Sequence, residues 1–473
     1  MASKAKSRWA DDKDDAALDA QLKKEKEEKK RLKTEKRLKA ERARALEAEQ
    51  QTQDAAAPVA AATDGAAPKL LRFDGGSFGR SRTIAHYDML NGISQGSYGW
   101  VSRAKETATG EVVALKRLKI DPKDLGGVPV TALREIRVLK ACDHRNVVKL
   151  KEVVVGDDTS KIETYGTDST ALSTPLRSPS LTPARPPSIF LVLEFVEHDL
   201  WSILHDMPQP FLASEVKTLL QQLASGVAYL HEHWIIHRDL KTSNLLLNNR
   251  GQLKIADFGM ARVVGNPPPA LTQHVVTLWY RAPELLLGEA RYTAAVDLWS
   301  VGCVFGELLT HKPLLPGTNE VDQLTKTFEL CGVPTDDSWP GFRRLPNARS
   351  MVLPPSTSTR STTTTLIRAK FPLLTSAGAA LLASLLSLDP ARRPTASEMA
   401  GHEYFRQDPR PKREELFPTF PSKAGQERAR PRETPEAPAR GQQAPDLRGV
   451  DFSGIFQARE REENGAGFSL RMV

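Results

Sequence analysis

Apolar positions change their spacing partway along the chain. Between residues 87 and 196, four short runs rich in Val, Ile, Leu and aromatics ("WVSRAKE", "EVVALKRLKI", "VVKLKEVVV", "IFLVLEFV") predict strands of a mostly antiparallel sheet. They enclose "GGVPVTALREIRVLK" (126–140), where glycine and proline precede a helix and Leu133, Ile136 and Leu139 recur every three residues. Glu135 sits beside that stripe, flanked by Arg134 and Arg137. After Leu200 the pattern is helical: "SEVKTLLQQLASGVAYLHEH" reads as a long amphipathic helix, and "AAVDLWSVGCVFGELL" as a buried one. A β-rich stretch followed by an α-rich one predicts two lobes of a single α+β domain.

Polar stretches bound and interrupt this domain. Residues 1–86 read as a charged arm and linker, and from Asp11 to Gln51 the chain is dominated by Lys, Glu, Arg and Ala, as in "QLKKEKEEKKRLKTEKRLKAERARALEAE". The leucines of the Asp11–Gln51 stretch, at 18, 22, 32, 38 and 46, fit no sustained heptad. This arm reads as a solvated helix laced by Glu/Lys pairs, followed by a linker, and its basic clusters also suit a nuclear import signal. A Ser/Thr/Pro-rich insertion at 157–188 predicts a mobile loop, and a second Ser/Thr-rich stretch interrupts the helical part at 350–370. Residues 406–473, polar and proline-rich, predict a flexible tail.

A length of 473 residues suits one large two-lobed domain with tails. Three scattered cysteines, Cys142, Cys303 and Cys331, argue against a disulfide framework or a zinc site and for a reducing compartment. No apolar run reaches the length of a membrane span, so no membrane partner is expected. The formal net charge of +8 permits contact with nucleic acid through the basic arm, or with acidic partners.

The chemistry is carried by three motifs in order: "IIHRDLKTSNLLL" (235–247), "KIADFGMAR" (254–262) and "YRAPELLLG" (280–288). Together they match the protein kinase catalytic loop, magnesium loop and substrate-loop terminus, and the chain resembles a eukaryotic protein kinase over residues 87–405. The resemblance implies the bilobal kinase fold, with ATP and Mg²⁺ as cofactors. It makes Asp239 the carboxylate that accepts the substrate hydroxyl proton, and Lys241 the cation on the γ-phosphate. Asn244 and Asp257 offer the oxygen ligands that a hard cation prefers. Lys116, on a predicted strand, would hold the α/β-phosphates, with Glu135 as its partner. "ISQGSYGWV" supplies Gly96 and Gly99 but has Ser94 where G-x-G-x-x-G has its first glycine. Two glycines alone would be an ordinary hairpin; followed by Val101 and the Lys116 strand, they read as the phosphate-covering loop. The purine would lie against Val101, Ala114 and the hinge, with Leu193 as gatekeeper and the backbone of Glu194 and Val196 reading the adenine edge.

"PVTALRE" (129–135) resembles the PSTAIRE-type helix of cyclin-dependent kinases, and "VVTLWYRAPELLLG" their activation segment. "VEHDL", "DLKTSNLLL", "GELLTHKPL", "HEYF" and "GAGFSL" resemble the PITSLRE subclass; "SIFLV", "PLLPGT", "WPGF" and "PTFP" look like PISSLRE. This resemblance implies a cyclin partner, with an L-type cyclin as one candidate, pressing on Pro129, Val130, Thr131, Leu133 and Ile136. It implies that Glu135 swings away from Lys116 without that partner. Thr272 becomes the site of an upstream activating kinase, with Arg134, Arg238 and Arg262 receiving its phosphate. Val275, Val276 and Arg281 resemble the pocket that selects Ser/Thr-Pro protein substrates. Ser97 and Tyr98 stand where relatives carry inhibitory phosphates. Thr277 is expected to bond Asp239 and Lys241, Glu284 to pair with Arg393, and Asp297 to hold the catalytic-loop backbone. The insertion's Thr174 and Thr182, each before proline with a basic residue three on, are expected targets of this kinase or a relative. The implied setting is nuclear, in transcription, pre-mRNA processing or the cell cycle. Two rivals differ in class. A silent kinase-fold scaffold has only Ser94 in its favour, and a mitogen-activated-type kinase would need a T-x-Y motif that "LTQHVV" lacks.

Overall fold

The computed structural model describes residues 81–96, 99–120, 128–156, 188–207, 209–265, 269–272, 275–349, 351–353, 363–420, 430–431 and 450–452. The small lobe is an antiparallel sheet of β1 (Tyr87–Gly96), β2 (Gly99–Glu106), β3 (Val112–Leu118), β4 (Leu150–Gly156) and β5 (Ser188–Glu194), in the order β1-β2-β3-β5-β4. Alternation along β3 divides the lobe's chemistry. Val113 and Leu115 enter a small core with Ala104, Phe190 and Val192, while Ala114 and Lys116 turn to the opposite face. Helix α1 (Val130–Ala141) buries Ala132, Glu135, Val138 and Leu139. The expected stripe is therefore rotated: Leu139 is buried and Ile136 half-buried, but Leu133 is exposed.

The large lobe is helical. In chain order it holds α2 (Leu200–Asp206), α3 (Ala213–Glu232), α4 (Pro283–Leu286), α5 (Ala295–Thr310), α6 (Glu320–Cys331), α7 (Thr363–Lys370), α8 (Ser376–Leu385) and α9 (Ala396–Ala400). Helix α5 is buried from Val296 to Leu308 and forms the centre of the core, as its apolar run predicts. Three short strands, β6 (His198–Asp199), β8 (Leu245–Leu247) and β9 (Leu253–Ile255), carry the site loops, as does the pair of β7 (Ile235–Ile236) with β10 (Arg262–Val263). None of the described helices is long and apolar enough to cross a membrane.

Four expectations change. β1 escaped the pattern because two register shifts, at Met89/Asn91 and Gly92/Ser94, break its alternation. Residues 81–86, assigned to the arm, pack on the sheet: Arg82 bridges Glu106 at 2.9 Å and Glu152 at 3.1 Å. Part of the Ser/Thr-rich 350–370 stretch is helix α7, which buries Leu366 and Ile367. Residues 406–420 are a strap on the large lobe and not a flexible tail. Lys412 pairs with Glu215 at 2.9 Å, its carbonyl accepts from Thr218 at 2.7 Å, and Phe417 is buried. Further on, β11 (Arg430–Pro431) lies parallel to β1 with Arg430 opposite Ser94, and Phe452 is buried against Phe328. Isolated aromatic anchors in a proline-rich context leave no periodic signal, which is why composition alone missed them. Residues 1–80, and 157–187 of the insertion with Thr174 and Thr182, lie outside the described residues.

Candidate phosphotransfer site

Cross-strand register assembles the nucleotide side of the site. Val101 stands opposite Lys116, and Ala114 opposite Leu193, so all four share one sheet face. Val101 and Ala114 are buried, and Val196 is half-buried on the connector beyond β5. Glu194 donates its backbone N–H to the Lys149 carbonyl at 3.0 Å, so that group is committed, and its carboxylate pairs with Lys254 at 2.7 Å. Gly96 of β1 pairs with Gly99 of β2. Gly99 has no substitute, because a Cβ there would stand 2.0 Å from the Arg117 carbonyl oxygen. Ser94 lies in β1, and Ser97 and Tyr98 fall outside the described residues.

Lys116 sits between two carboxylates. Its Nζ lies 2.5 Å from Glu135 Oε1 and 2.9 Å from Asp257 Oδ1. Burial alone would lower its pKa, but the Asp257 and Glu135 charges outweigh it and hold the ammonium well above its ordinary value. Glu135 is 2% exposed, so the pair is closed in the single chain. The swung-away helix expected for a partner-free chain is not the arrangement seen. Glu135 lies on α1 and Lys116 on β3, so their ion pair ties the helix to the sheet. Asp257 itself holds a left-handed backbone (φ 63°), a conformation non-glycine residues rarely adopt.

The catalytic loop hangs on α5. Asp297, at its N-terminus, accepts from the backbone N–H of His237 at 2.8 Å and of Arg238 at 2.9 Å, and from His231 Nε2 at 3.0 Å. Burial would raise the Asp297 pKa, but the His231 bond and charge hold it below the ordinary carboxylate value. Beyond the left-handed Arg238 (φ 63°), Asp239 is 2% exposed. One Asp239 oxygen accepts from Thr277 Oγ1 at 3.1 Å, the other from Asn244 Nδ2 at 3.0 Å, with Lys241 Nζ at 3.5 Å. Lys241 also donates to Thr277 Oγ1 at 3.1 Å. The expected Thr277, Asp297 and Glu284–Arg393 contacts are all present, the last bidentate at 2.6 and 2.7 Å. Asn244 donates its amide nitrogen twice to Asp239, which turns its carbonyl oxygen away from that residue. This oxygen and the Asp257 carboxylate are the hard donors that suit Mg²⁺.

The activation segment is tied to the same loop. Thr272 is exposed, and its carbonyl accepts from the Tyr292 hydroxyl at 2.8 Å; that hydroxyl accepts from Arg238 Nη1 at 2.8 Å. Arg238 Nε donates to the Met260 carbonyl at 2.8 Å, so two of its donors are engaged. Burial, then the charges of Arg134 and Arg238, push the Arg262 pKa down. Val276 is left-handed (φ 67°), and Arg281 donates to the carbonyls of Val275 at 3.0 Å and Val276 at 3.1 Å. Sequence reasoning missed Tyr292, Met260 and Glu320, the last paired with Arg281 at 2.7 Å. Tyr292 and Glu320 act through tertiary contacts that no local spacing encodes.

A lysine held by a helix glutamate and an "ADFG" aspartate, facing a buried "HRD" aspartate, defines the phosphotransfer site of a protein kinase. The protein kinase domain model matches residues 87–405, and the chain belongs to the protein kinase family, in its cyclin-dependent, PITSLRE-like branch. The chain is 46% identical to serine/threonine-protein kinase ppk23 of Schizosaccharomyces pombe over 342 residues, 72% of this chain and 78% of that one. It is 42% identical to cyclin-dependent kinase 11B of Homo sapiens over 396 residues, 82% of this chain and 46% of that one. Cyclin-dependent kinase G-2 of Oryza sativa subsp. indica is 44% identical over 342 residues, 72% of this chain and 44% of that one. The chain thus spans less than half the length of the human and rice relatives it matches.

Proposed function

We propose that the chain is a cyclin-dependent serine/threonine kinase that transfers the ATP γ-phosphate to Ser/Thr-Pro sites of proteins. The observation that carries this reading is the buried Lys116 ammonium, held between Glu135 and Asp257 where it can grip phosphate oxygens. Asp239 accepts the proton of the substrate hydroxyl, and Lys241 neutralises charge developing on the transferred group. Asn244 and Asp257 would hold Mg²⁺, which supplies further charge neutralisation when bound. Val101, Ala114 and Leu193 pack the purine. The Val276 carbonyl is already taken by Arg281. A substrate N–H after the phosphoacceptor therefore finds no acceptor there, and proline, which lacks that N–H, is preferred.

Regulation follows from what the site leaves exposed. Val130 is 59% and Leu133 52% exposed beside half-buried Pro129 and Ile136, an apolar helix face that a cyclin would cover. A phosphate on Thr272, added by an upstream kinase, would enter the Arg134/Arg238/Arg262 cluster. The basic arm and the kinship with cyclin-dependent kinases support a nuclear role in transcription, pre-mRNA processing or the cell cycle. A silent scaffold has no use for this intact set of charges. The test is phosphotransfer from Mg-ATP to a Ser-Pro peptide by the purified full chain. Asp239→Asn should lower kcat by roughly 10²–10⁴-fold, and equal incorporation by both proteins would reject the assignment.

A further inference from the structure

Glu307, on α5, is 1% exposed, and no cation pairs with it among the described residues. Its Oε1 accepts from the Thr242 hydroxyl at 2.9 Å and its Oε2 from the Tyr280 hydroxyl at 2.6 Å; the two hydroxyls are 3.3 Å apart. Thr242 follows Lys241 in the loop that carries Asp239 and Asn244. Tyr280 precedes Arg281 in the segment that carries Thr277 and the proline pocket, and its carbonyl is held by Ser300 of α5 at 2.9 Å. One carboxylate thus ties both halves of the site to the core helix. Burying a charge without a counter-ion is costly, and a neutral glutamine could fill the same space. Packing alone does not call for a carboxylate here.

We propose that Glu307 is a positioning residue for phosphoryl transfer, registering the catalytic loop against the Val275–Arg281 segment as long as it is an anion. The inference rests on the kinase reading above. Only the anion can accept both hydroxyls with both oxygens. A proton on either oxygen turns one acceptor into a donor, so the Thr242 or Tyr280 hydroxyl must turn its own hydrogen off that oxygen and one of the two direct ties reverses. Burial drives the Glu307 pKa up to about 7, opposed by the two hydroxyl bonds. Its titratable neighbours stay out of that range. Burial raises Tyr280 well above its ordinary value, does the same to Cys303 on the same helix, and pushes Cys331 of α6 to about 12. Arg393, the cation acting on Cys303, is paired with Glu284 at 2.6 Å. The pH at which loop and pocket lose register is therefore set by Glu307.

The experiment measures kcat and KM of the full chain on Ser-Pro and Ser-Ala peptides from about pH 5 to 9, for wild type, Glu307→Gln and Tyr280→Phe. For wild type we expect kcat to fall on the acid side of about pH 7. Glu307→Gln should lose that limb, with kcat at alkaline pH down roughly tenfold and KM for ATP within about twofold. Tyr280→Phe, which removes one bond favouring the anion, should shift the limb to higher pH. A folded Glu307→Gln with wild-type kcat and profile overturns the proposal. So does a variant that loses kcat equally at every pH while keeping the limb. If Glu307→Gln does not fold, Tyr280→Phe decides, and an unmoved limb overturns it. Asp239→Asn separates the two readings: activity surviving there rejects the kinase assignment, whereas a dead Asp239→Asn beside an unaltered Glu307→Gln rejects only this inference.

Discussion

The guanidinium of Arg281 donates to the carbonyl of Val276 at 3.1 Å, and Val276 holds a left-handed backbone (φ 67°). A β-branched residue in that conformation costs about 1–3 kcal/mol, so the surrounding contacts must hold it there. Arg281 does so with two carbonyl bonds and is itself anchored by Glu320 at 2.7 Å. Replacing Arg281 by Met keeps the stem and removes the donors, so the Val276 carbonyl becomes available to a substrate N–H. Such a bond is worth about 1 kcal/mol. The preference for Pro over Ala after the phosphoacceptor should fall roughly five- to tenfold. Paired peptides differing only at that residue measure this ratio, and an unchanged ratio removes Arg281 from specificity.

The exposed face of α1 yields a second prediction. Leu133 is 52% exposed, while Glu135, two residues on, is buried against Lys116. Leu133→Asp puts a charge on the apolar patch without touching the core. Copurification of a cyclin should be lost while the melting temperature of the isolated chain stays within about 2 °C, as for an exposed site. The Lys116–Glu135 pair is closed in the single chain, so Leu133→Asp should leave that contact in place. Retained cyclin binding would falsify the docking role of this face.

Much of this was legible in the sequence because kinase chemistry is compressed into short local motifs. Asp239, Lys241 and Asn244 lie within six residues, and the folds they need are a tight loop and a strand end. The helix–strand pairing of Lys116 with Glu135 was readable from motif position. It is now a distance of 2.5 Å. What stayed hidden travels across the chain. Glu320 reaches Arg281 over 39 residues and Tyr292 reaches Arg238 over 54, through contacts only the fold creates. The strap failed to register for a different reason, since Lys412 and Phe417 act as single anchors without period.

Thr272 makes the third prediction. Its side chain is exposed and its carbonyl is linked through Tyr292 to Arg238, while burial, then the charges of Arg134 and Arg238, lower the Arg262 pKa. A phosphate there would replace repulsion with charge-assisted bonds worth about 1.5–3 kcal/mol each. Thr272→Ala should lower kcat and leave the fold intact. Phosphorylated wild type should melt several degrees higher than the unmodified chain, with the gain shrinking at high salt. A phosphorylated chain that melts no higher would remove the cluster from phosphate binding.

The strap supplies a stability test. Phe417 is buried under Phe211, with ring centroids 6.1 Å apart, and Arg145 pairs with Glu414 at 2.6 Å. Phe417→Ala should cost about 2–4 kcal/mol, less than a central core aromatic because the strap can relax. Arg145→Ala, at an exposed pair, should cost at most about 1 kcal/mol. Denaturant midpoints of the two variants give the comparison. Equal, small losses would mean that the strap is not part of the folded large lobe.

The last prediction concerns stability against pH and separates Glu307 from every other group. Its pKa is about 7 folded, against an ordinary carboxyl value near 4.5, because burial penalises the anion. Between those values the folded chain binds a proton that the unfolded chain has lost. Linkage then makes stability fall as pH rises from about 4.5 to about 7 and flatten above it. Buried His237, whose pKa burial lowers, acts in the opposite sense: its folded form stays neutral, so stability rises with pH through the ordinary histidine range. A raw melting curve mixes the two. The difference between wild type and Glu307→Gln cancels His237 and isolates the carboxyl. That difference should favour the variant progressively as pH rises and stop growing above about pH 7. A flat difference would mean that Glu307 titrates like an exposed carboxyl, and its buried bonds to Thr242 and Tyr280 could not then switch near neutral pH.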